Sequence, residues 1–323
     1  MTALLRAEDL TVRFRLAKQS LFGPPVHLEA VRAVSFTLEK GRALGIVGES
    51  GSGKTTTAMA AIRLTEAAGG KVLFEGEDLL ALDDEAMRAR RRDIQLIFQD
   101  PYSSLNPRAR VADIVREPMD LMEIGTPAER DARVRELFGL VGLRADQLGL
   151  FPHQFSGGQR QRISIARALS THPKLLVCDE PVSALDVAIQ AQILNLLARL
   201  KEELGLSYLF ISHDLGVVRH VCDDVAVMYL GKIVEHGPRD ALFDSPQHPY
   251  TQALLAAAPS LKRRKSKGYV RPMKLSGDPP SPIRPPKGCA FADRCPRAQD
   301  LCREMPPEPH EEGALRVACH FPG

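Results

Sequence analysis

The sequence predicts an α/β fold: a mostly parallel sheet with an antiparallel β edge, an inserted helical subdomain and a small cysteine-rich C-terminal extension. Three observations point there. The apolar run Ala43 to Val47 enters a glycine-rich stretch, residues 48–55, that is followed at once by a helix-prone segment. Later in the chain, short apolar runs alternate with amphipathic ones, the pattern of strands covered by helices. The last segment then turns to proline and cysteine.

In chain order, Leu4 to Phe14 and Val31 to Leu38 are β-prone runs separated by an excursion through Gly23-Pro24-Pro25. Phe14, which ends the first, has two readings: an aromatic that stacks on a purine ring, or one that packs on its own sheet. The stretch Gly48-Glu49-Ser50-Gly51-Ser52-Gly53-Lys54-Thr55, set between strand and helix, is the phosphate-binding loop of a P-loop NTPase core. Its glycines let successive N–H groups turn inward on one anion, helped by the positive end of the following helix. Lys54 adds a point charge on the β- and γ-phosphates, Thr55 offers its hydroxyl to Mg²⁺, and Thr56 follows among the nucleotide-binding positions.

Lys71 to Gly76 reads as a hairpin strand and Ile94 to Phe98 as a buried one. Between them Arg88, Arg90, Arg91 and Arg92 form a basic cluster, read first as a solvated face. Gln99 ends its strand where it can reach Mg²⁺ or a lytic water. From about residue 100 to 172 the pattern is helical, as in Asp131 to Leu140. Within that subdomain Ser156, Gly157, Gly158 and Gln159 open the helix Arg160 to Leu169 as a second anion-ready N-terminus. One nucleotide needs only one such cradle.

Strands resume at Leu175 to Cys178, Tyr208 to Ile211 and Val225 to Tyr229. The first runs into Asp179 and Glu180, two carboxylates delivered to the carboxyl edge of a parallel sheet. Neighbouring side chains diverge on a strand, so Asp179 is assigned to the Mg²⁺ shell and Glu180 to the attacking water, as base or orienter. His213 follows the strand ending at Ile211 and either senses a γ-phosphate or satisfies the next helix start locally. On the helix Val187 to Leu204, Ile189, Ile193, Leu196, Leu197 and Leu200 share one face, which should lie on a sheet. Charge at Lys262 to Lys267 and prolines from Pro279 mark a linker. The expected division is a nucleotide-binding domain over 1–261 and a linker with a separate small cysteine-bearing unit over 262–323.

The chain has 323 residues and a formal net charge of +3, too mild to argue for nucleic acid as a partner. Its opening residues carry no apolar signal segment, and no uncharged run is long enough to span a bilayer. A cytosolic chain is expected, with any membrane role resting on a partner that spans. Cys178 and Cys222 sit in apolar runs and read as core. Cys289, Cys295, Cys302 and Cys319 follow a C-x5-C-x6-C-x16-C spacing without the close pairs of a zinc ribbon. Four thiolates suit an iron–sulfur cluster; zinc and no metal are the alternatives.

Together these motifs resemble the ATP-binding-cassette (ABC) family over about Leu4 to Ala258. Residues 48–55 match its Walker A, Gln99 its Q-loop, Ser156 to Gln159 its signature sequence, and Val177 to Glu180 its Walker B with catalytic glutamate. Ser183 to Asp186 match the D-loop and His213 the switch histidine. The resemblance implies catalytic roles for Glu180, His213 and Gln99, Mg²⁺ at Thr55, Gln99 and Asp179, and adenine stacking on Phe14. It also implies a head-to-tail dimer in which Ser156 and Gly158 of one subunit complete the ATP site built on Lys54 of the other. Gly157, Gln159 and Asp186 join that interface.

Residues 99–107 and 153–162, His248-Pro249-Tyr250-Thr251 and the tail around Cys289 and Cys295 are similar to the ATP-binding subunits of oligopeptide/dipeptide importers. Tyr102, Ser103, Ser104 and Gln159 lean towards the second of the two paralogues in that group. The resemblance implies a peripheral protein on the cytoplasmic face of the membrane. Its partners would be a related ATP-binding subunit (a heterodimer, or a homodimer in isolation), two transmembrane permease subunits and an extracytoplasmic peptide-binding protein. Members of the group have a tail described as a [4Fe–4S] site. The same machinery serves nickel or another small solute as an alternative cargo, and a soluble ABC ATPase acting on nucleic acid or ribosomes is the competing class.

Overall fold

The computed structural model describes residues 2–16, 27–100, 102–257 and 277–323. The excursion through Gly23-Pro24-Pro25 and the tract Lys262 to Lys267 lie outside the described residues. Two compact units make up the chain. One comprises Met1–Thr2, Glu39–Ala43 and Ala81–Phe210; the other comprises Ala3–Leu38, Leu44–Leu80 and Ile211–Gly323.

In the unit that holds residues 48–55, the strands His27–Glu39, Ala3–Arg15, Gly69–Phe74 and Glu77–Asp78 form a four-stranded sheet in that order. Ala3–Arg15 pairs antiparallel with Gly69–Phe74, and the register shifts between Glu8 and Thr11. Asp9 takes a φ of 49° there, a bulge that moves the buried side chains from Leu5 and Ala7 to Leu10 and Val12. The strand therefore keeps one face in the core although its alternation breaks.

The strand Ala43–Val47 is buried throughout and runs parallel to Asp224–Tyr229, with Val47 opposite Val227. Full burial explains its unbroken apolar run. Beyond it Lys232–Pro238 pairs antiparallel with Asp224–Tyr229. The tail then adds Leu315–Val317 to the edge of Lys232–Pro238 and His310–Glu312 beyond that. The tail is thus joined to this sheet by strand pairing. An edge strand carries unpaired N–H and C=O groups, and the tail strand satisfies them: Glu235 faces Val317 and His236 faces Arg316.

In the other unit Ile94–Ile97 runs parallel to Leu175–Asp179. The expected buried strand is an edge strand here: Ile94 and Ile97 are buried, whereas Phe98 is 47% exposed. The helices Val111–Leu121, Pro127–Leu140 and Gly157–Leu169 supply the helical subdomain. Thr126 starts the second with a reciprocal capping box to Glu129. Arg116, Asp120, Arg130 and Asp131 form an ion-pair network between the first two. Arg88 and Arg92 of the basic cluster line an open groove with Leu121, Met122 and Ile124. Val187–Leu204 buries Ile193, Leu196, Leu197 and Leu200, as its periodicity predicts, and ends on Gly205 in the left-handed region. Cys178 and Cys222 are fully buried core residues.

Candidate functional site

The loop after Ala43–Val47 is shaped by two glycines that no other residue can replace. Gly48 has φ 155° and Gly53 has φ 102°. A Cβ on Gly48 would strike the Met228 carbonyl oxygen, and one on Gly53 would lie 2.5 Å from the Ala30 carbonyl oxygen. Lys54 is only 6% exposed, and its Nζ donates to the Gly48 and Glu49 carbonyl oxygens, both at 2.9 Å. Thr57, one turn on, donates from Oγ1 to the Gly53 carbonyl at 2.9 Å. The Ser52 hydroxyl is buried in this loop without a hydrogen-bond partner among the described residues. An orphaned hydroxyl costs stability unless something fills it, and together with a buried ammonium it gives the loop the donors an anion needs. Thr55 is exposed and Thr56 half-buried at the start of Lys54–Ala61.

Tyr250, which the sequence offers only within the motif at 248–251, touches this loop directly. The Glu49 N–H donates to the Tyr250 hydroxyl at 2.8 Å. His248 holds Tyr250 in turn, its Nδ1 accepting from the Tyr250 N–H at 3.0 Å. The buried Glu235 carboxylate accepts from the N–H groups of Gln247 and His248 at 2.6 and 3.1 Å. The motif itself is the available signal; its target, 201 residues away, is not legible from it.

Burial pushes the His248 imidazole down to about 3 from 6.5. In this window the unfolded chain binds the extra proton, so stability is complete above pH 6.5 and falls as pH drops towards 3. At pH 5 the expected loss is about 2 kcal/mol relative to pH 7, from about 1.4 kcal/mol per unit. Burial raises the Glu235 carboxyl, which works in the opposite sense. The informative measurement is therefore the difference between wild type and His248→Asn in urea unfolding at the two pH values. Equal acid sensitivity in the two proteins would refute the assignment.

In the other unit, Leu175–Asp179 delivers Asp179, 8% exposed, and then Glu180. Glu180 has φ 43°, a left-handed conformation that costs a non-glycine residue energy and recurs where a side chain must be aimed. Gln99 donates from Nε2 to the Glu180 carboxylate at 3.2 Å. Two residues separated by 81 positions, each nominated for the lytic water, are thus brought together. Ser156 caps Gly157–Leu169 and Gln159 returns the bond to the Ser156 N–H, so the Gln159 side chain serves the cap. Asp186 likewise caps Val187–Leu204 by accepting from the Ile189 N–H at 3.0 Å.

Ile189, half-buried one turn before Ile193, packs against Gly158. A Cβ on Gly158 would sit 2.5 Å from Ile189 Cγ2, a branch that cannot swing away. Gly158→Ala should therefore cost about 1–3 kcal/mol through overpacking. Urea unfolding should show that cost largely vanishing in an Ile189→Ala background; an undiminished penalty would place the clash elsewhere.

Phe14 is 40% exposed on Ala3–Arg15. His213 is exposed beyond Ser207–Ser212, and the following helix start is capped by Asp214, whose carboxylate accepts from the Gly216 N–H at 2.7 Å. Cys289, Cys295, Cys302 and Cys319 line one enclosed pocket with His248 and Phe291. Burial first, and then the charges of the neighbouring thiols, push Cys289 up to about 11. Among the described residues no three His, Cys, Asp or Glu already stand as a single-ion site. The thiols nevertheless share one pocket, the donor set a soft metal group takes. No helix among the described residues is long and apolar enough to cross a membrane.

Residues 31–183 match the family described as ABC transporter, and residues 234–302 match the one described as oligopeptide/dipeptide transporter, C-terminal region. The chain is 52% identical over 296 residues to the oligopeptide transport ATP-binding protein AppF of Bacillus subtilis (strain 168), covering 91% of this chain and 90% of that one. It is 46% identical over 316 residues to the dipeptide transport ATP-binding protein DppF of Escherichia coli (strain K12), covering 98% and 93%. Among solved structures it is similar to the ATP-binding cassette MJ0796 in a dimeric post-hydrolysis state bound to ADP and Pi. That match has a TM-score of 0.64 and 27% identity, over 73% of this chain and 98% of that one.

Proposed function

The chain belongs to the ABC-transporter ATP-binding subunits of the oligopeptide/dipeptide branch, and from that premise we propose that it hydrolyses ATP to power peptide import across a membrane. The match over 234–302 carries the peptide reading, because it sets this branch apart from ATP-binding cassettes at large.

In this reading the loop at 48–55 cradles the phosphates and Lys54 leaves its two carbonyl contacts for the β- and γ-oxygens. Phe14 stacks on adenine. Glu180, aimed by its backbone and held by Gln99, takes the proton of the attacking water or orients it, and His213 senses the γ-phosphate. Thr55, Gln99 and Asp179 are the residues for Mg²⁺, which neutralises phosphate charge when bound. Ser156, Gly157, Gly158 and Gln159, with Asp186, face the nucleotide of a related subunit in a head-to-tail dimer. The second cradle favours this arrangement, since one chain has more anion-ready helix starts than one nucleotide uses.

The partners are a related ATP-binding subunit, two permease subunits and an extracytoplasmic peptide-binding protein, with this chain peripheral on the cytoplasmic face. Cys289, Cys295, Cys302 and Cys319 are the residues to hold a [4Fe–4S] cluster, whose role here is to tie the tail together. The shared pocket supports it.

Capture of the Glu180→Gln variant with ATP from membranes of the source cell tests the whole reading. Recovery of two membrane subunits and a related ATPase is expected. Recovery of ribosomes or nucleic acid without membrane proteins would overturn it.

A further inference from the structure

We infer that Arg294, a residue of the cysteine-bearing tail, is a positioning residue for the phosphate-binding loop, and that the tail thereby sets how tightly the chain holds ATP. This rests on the reading that the loop around Lys54 binds nucleotide; it does not depend on what the thiols carry.

Arg294 closes the short turn Ala292–Arg294, between Cys289 and Cys295. Its guanidinium forks onto Glu49, Nη1 to Oε2 at 2.7 Å and Nη2 to Oε1 at 2.9 Å, and Nη1 also donates to the Tyr229 hydroxyl at 3.3 Å. The Arg294 side chain is 6% exposed and that of Glu49 30%. A two-pronged pair fixes position as well as charge, and its Arg294 end lies largely out of water. Phe291 braces the turn, its ring lying 5.4 Å from those of both Tyr229 and Tyr250.

Glu49 is therefore held at both ends of its peptide and at its side chain. Its carboxylate is taken by Arg294, its N–H by Tyr250, and its own carbonyl holds the Lys54 ammonium. The tail grips the residue on which Lys54 rests. Without Arg294 the loop loses that anchor and exposes an uncompensated carboxylate one residue from Gly48, where incoming phosphates would meet it. Both effects weaken ATP binding and leave the hydrolytic residues Gln99 and Glu180 untouched.

The test is the ATP dependence of ATPase activity in the full chain. Arg294→Gln should raise the KM for ATP about tenfold with kcat changed less than about threefold. Arg294→Lys, which keeps the charge without the fork, should recover part of the loss. Arg303→Gln breaks a different ion pair of the tail, to Asp293, and should leave KM unchanged. Should Arg294→Gln fail to fold, Glu49→Gln reads the same contact from the loop side and should also raise KM, and the double variant should be no worse than the more affected single. An unchanged KM in Arg294→Gln, or in Glu49→Gln where that stands in, would overturn the inference. So would an equal rise in Arg303→Gln. Lys54→Ala separates the two readings. If it loses ATP binding while Arg294→Gln is normal, only the positioning role fails; if it binds ATP normally, the loop reading fails and the inference with it.

Discussion

Glu180→Gln should bind ATP with near-wild-type affinity while hydrolysing it at least about 100-fold more slowly, the range lost when a general base is removed. The amide keeps the shape and still meets Gln99, which is 3.2 Å from the carboxylate, so ground-state binding has no reason to change. What disappears is the lone pair that takes a proton from water. The residue sits at φ 43°, a backbone that glutamine takes as readily as glutamate, so the substitution should leave the turn intact. Single-turnover hydrolysis and a sizing column run with ATP read the two halves of the prediction, abolished chemistry and an accumulated closed dimer. Normal turnover would remove Glu180 from the chemistry.

Lys54→Ala should weaken ATP binding by roughly 100-fold, the scale of removing a charge-assisted hydrogen bond from a partly buried site, about 3 kcal/mol. Two changes add. The phosphates lose their ammonium, and the carbonyls of Gly48 and Glu49 lose the donor that draws them together at 2.9 Å. Titration of fluorescent ATP should show the weakened binding, and thermal unfolding without nucleotide should show a smaller decrease from the loop itself. Lys54→Arg is expected to recover neither fully, since a planar fork does not reproduce the compact ammonium that Lys54, 6% exposed, presents to both carbonyls. Unchanged ATP affinity in Lys54→Ala would move the phosphate site elsewhere.

Much of the chemistry was readable without coordinates because it is written in short contiguous patterns. The strand, glycine loop and helix at 43–62 need only local rules, and so do the apolar run into Asp179 and Glu180 and the sheet-facing stripe of Val187 to Leu204. Where periodicity fell short, a neighbour from far along the chain had intervened. Periodicity places Ile189 on the stripe but says nothing of Gly158, the neighbour it meets. Phe98 continued an apolar run yet lies 47% exposed, since whether a strand is interior or edge depends on pairing.

By itself the sequence determined the nucleotide chemistry, its order along the chain and the family. Backbone conformation and side-chain type act over a few residues, and those suffice for a phosphate cradle or a carboxylate at a strand end. Only the tertiary structure decided that the cysteine-bearing tail completes the sheet edge and grips the phosphate loop. The pair that does this, Glu49 and Arg294, is separated by 245 positions. No propensity or spacing encodes such a contact; it exists because burying Phe291 among Tyr229, Tyr250 and His248 brings a guanidinium to a carboxylate that neither could hold alone.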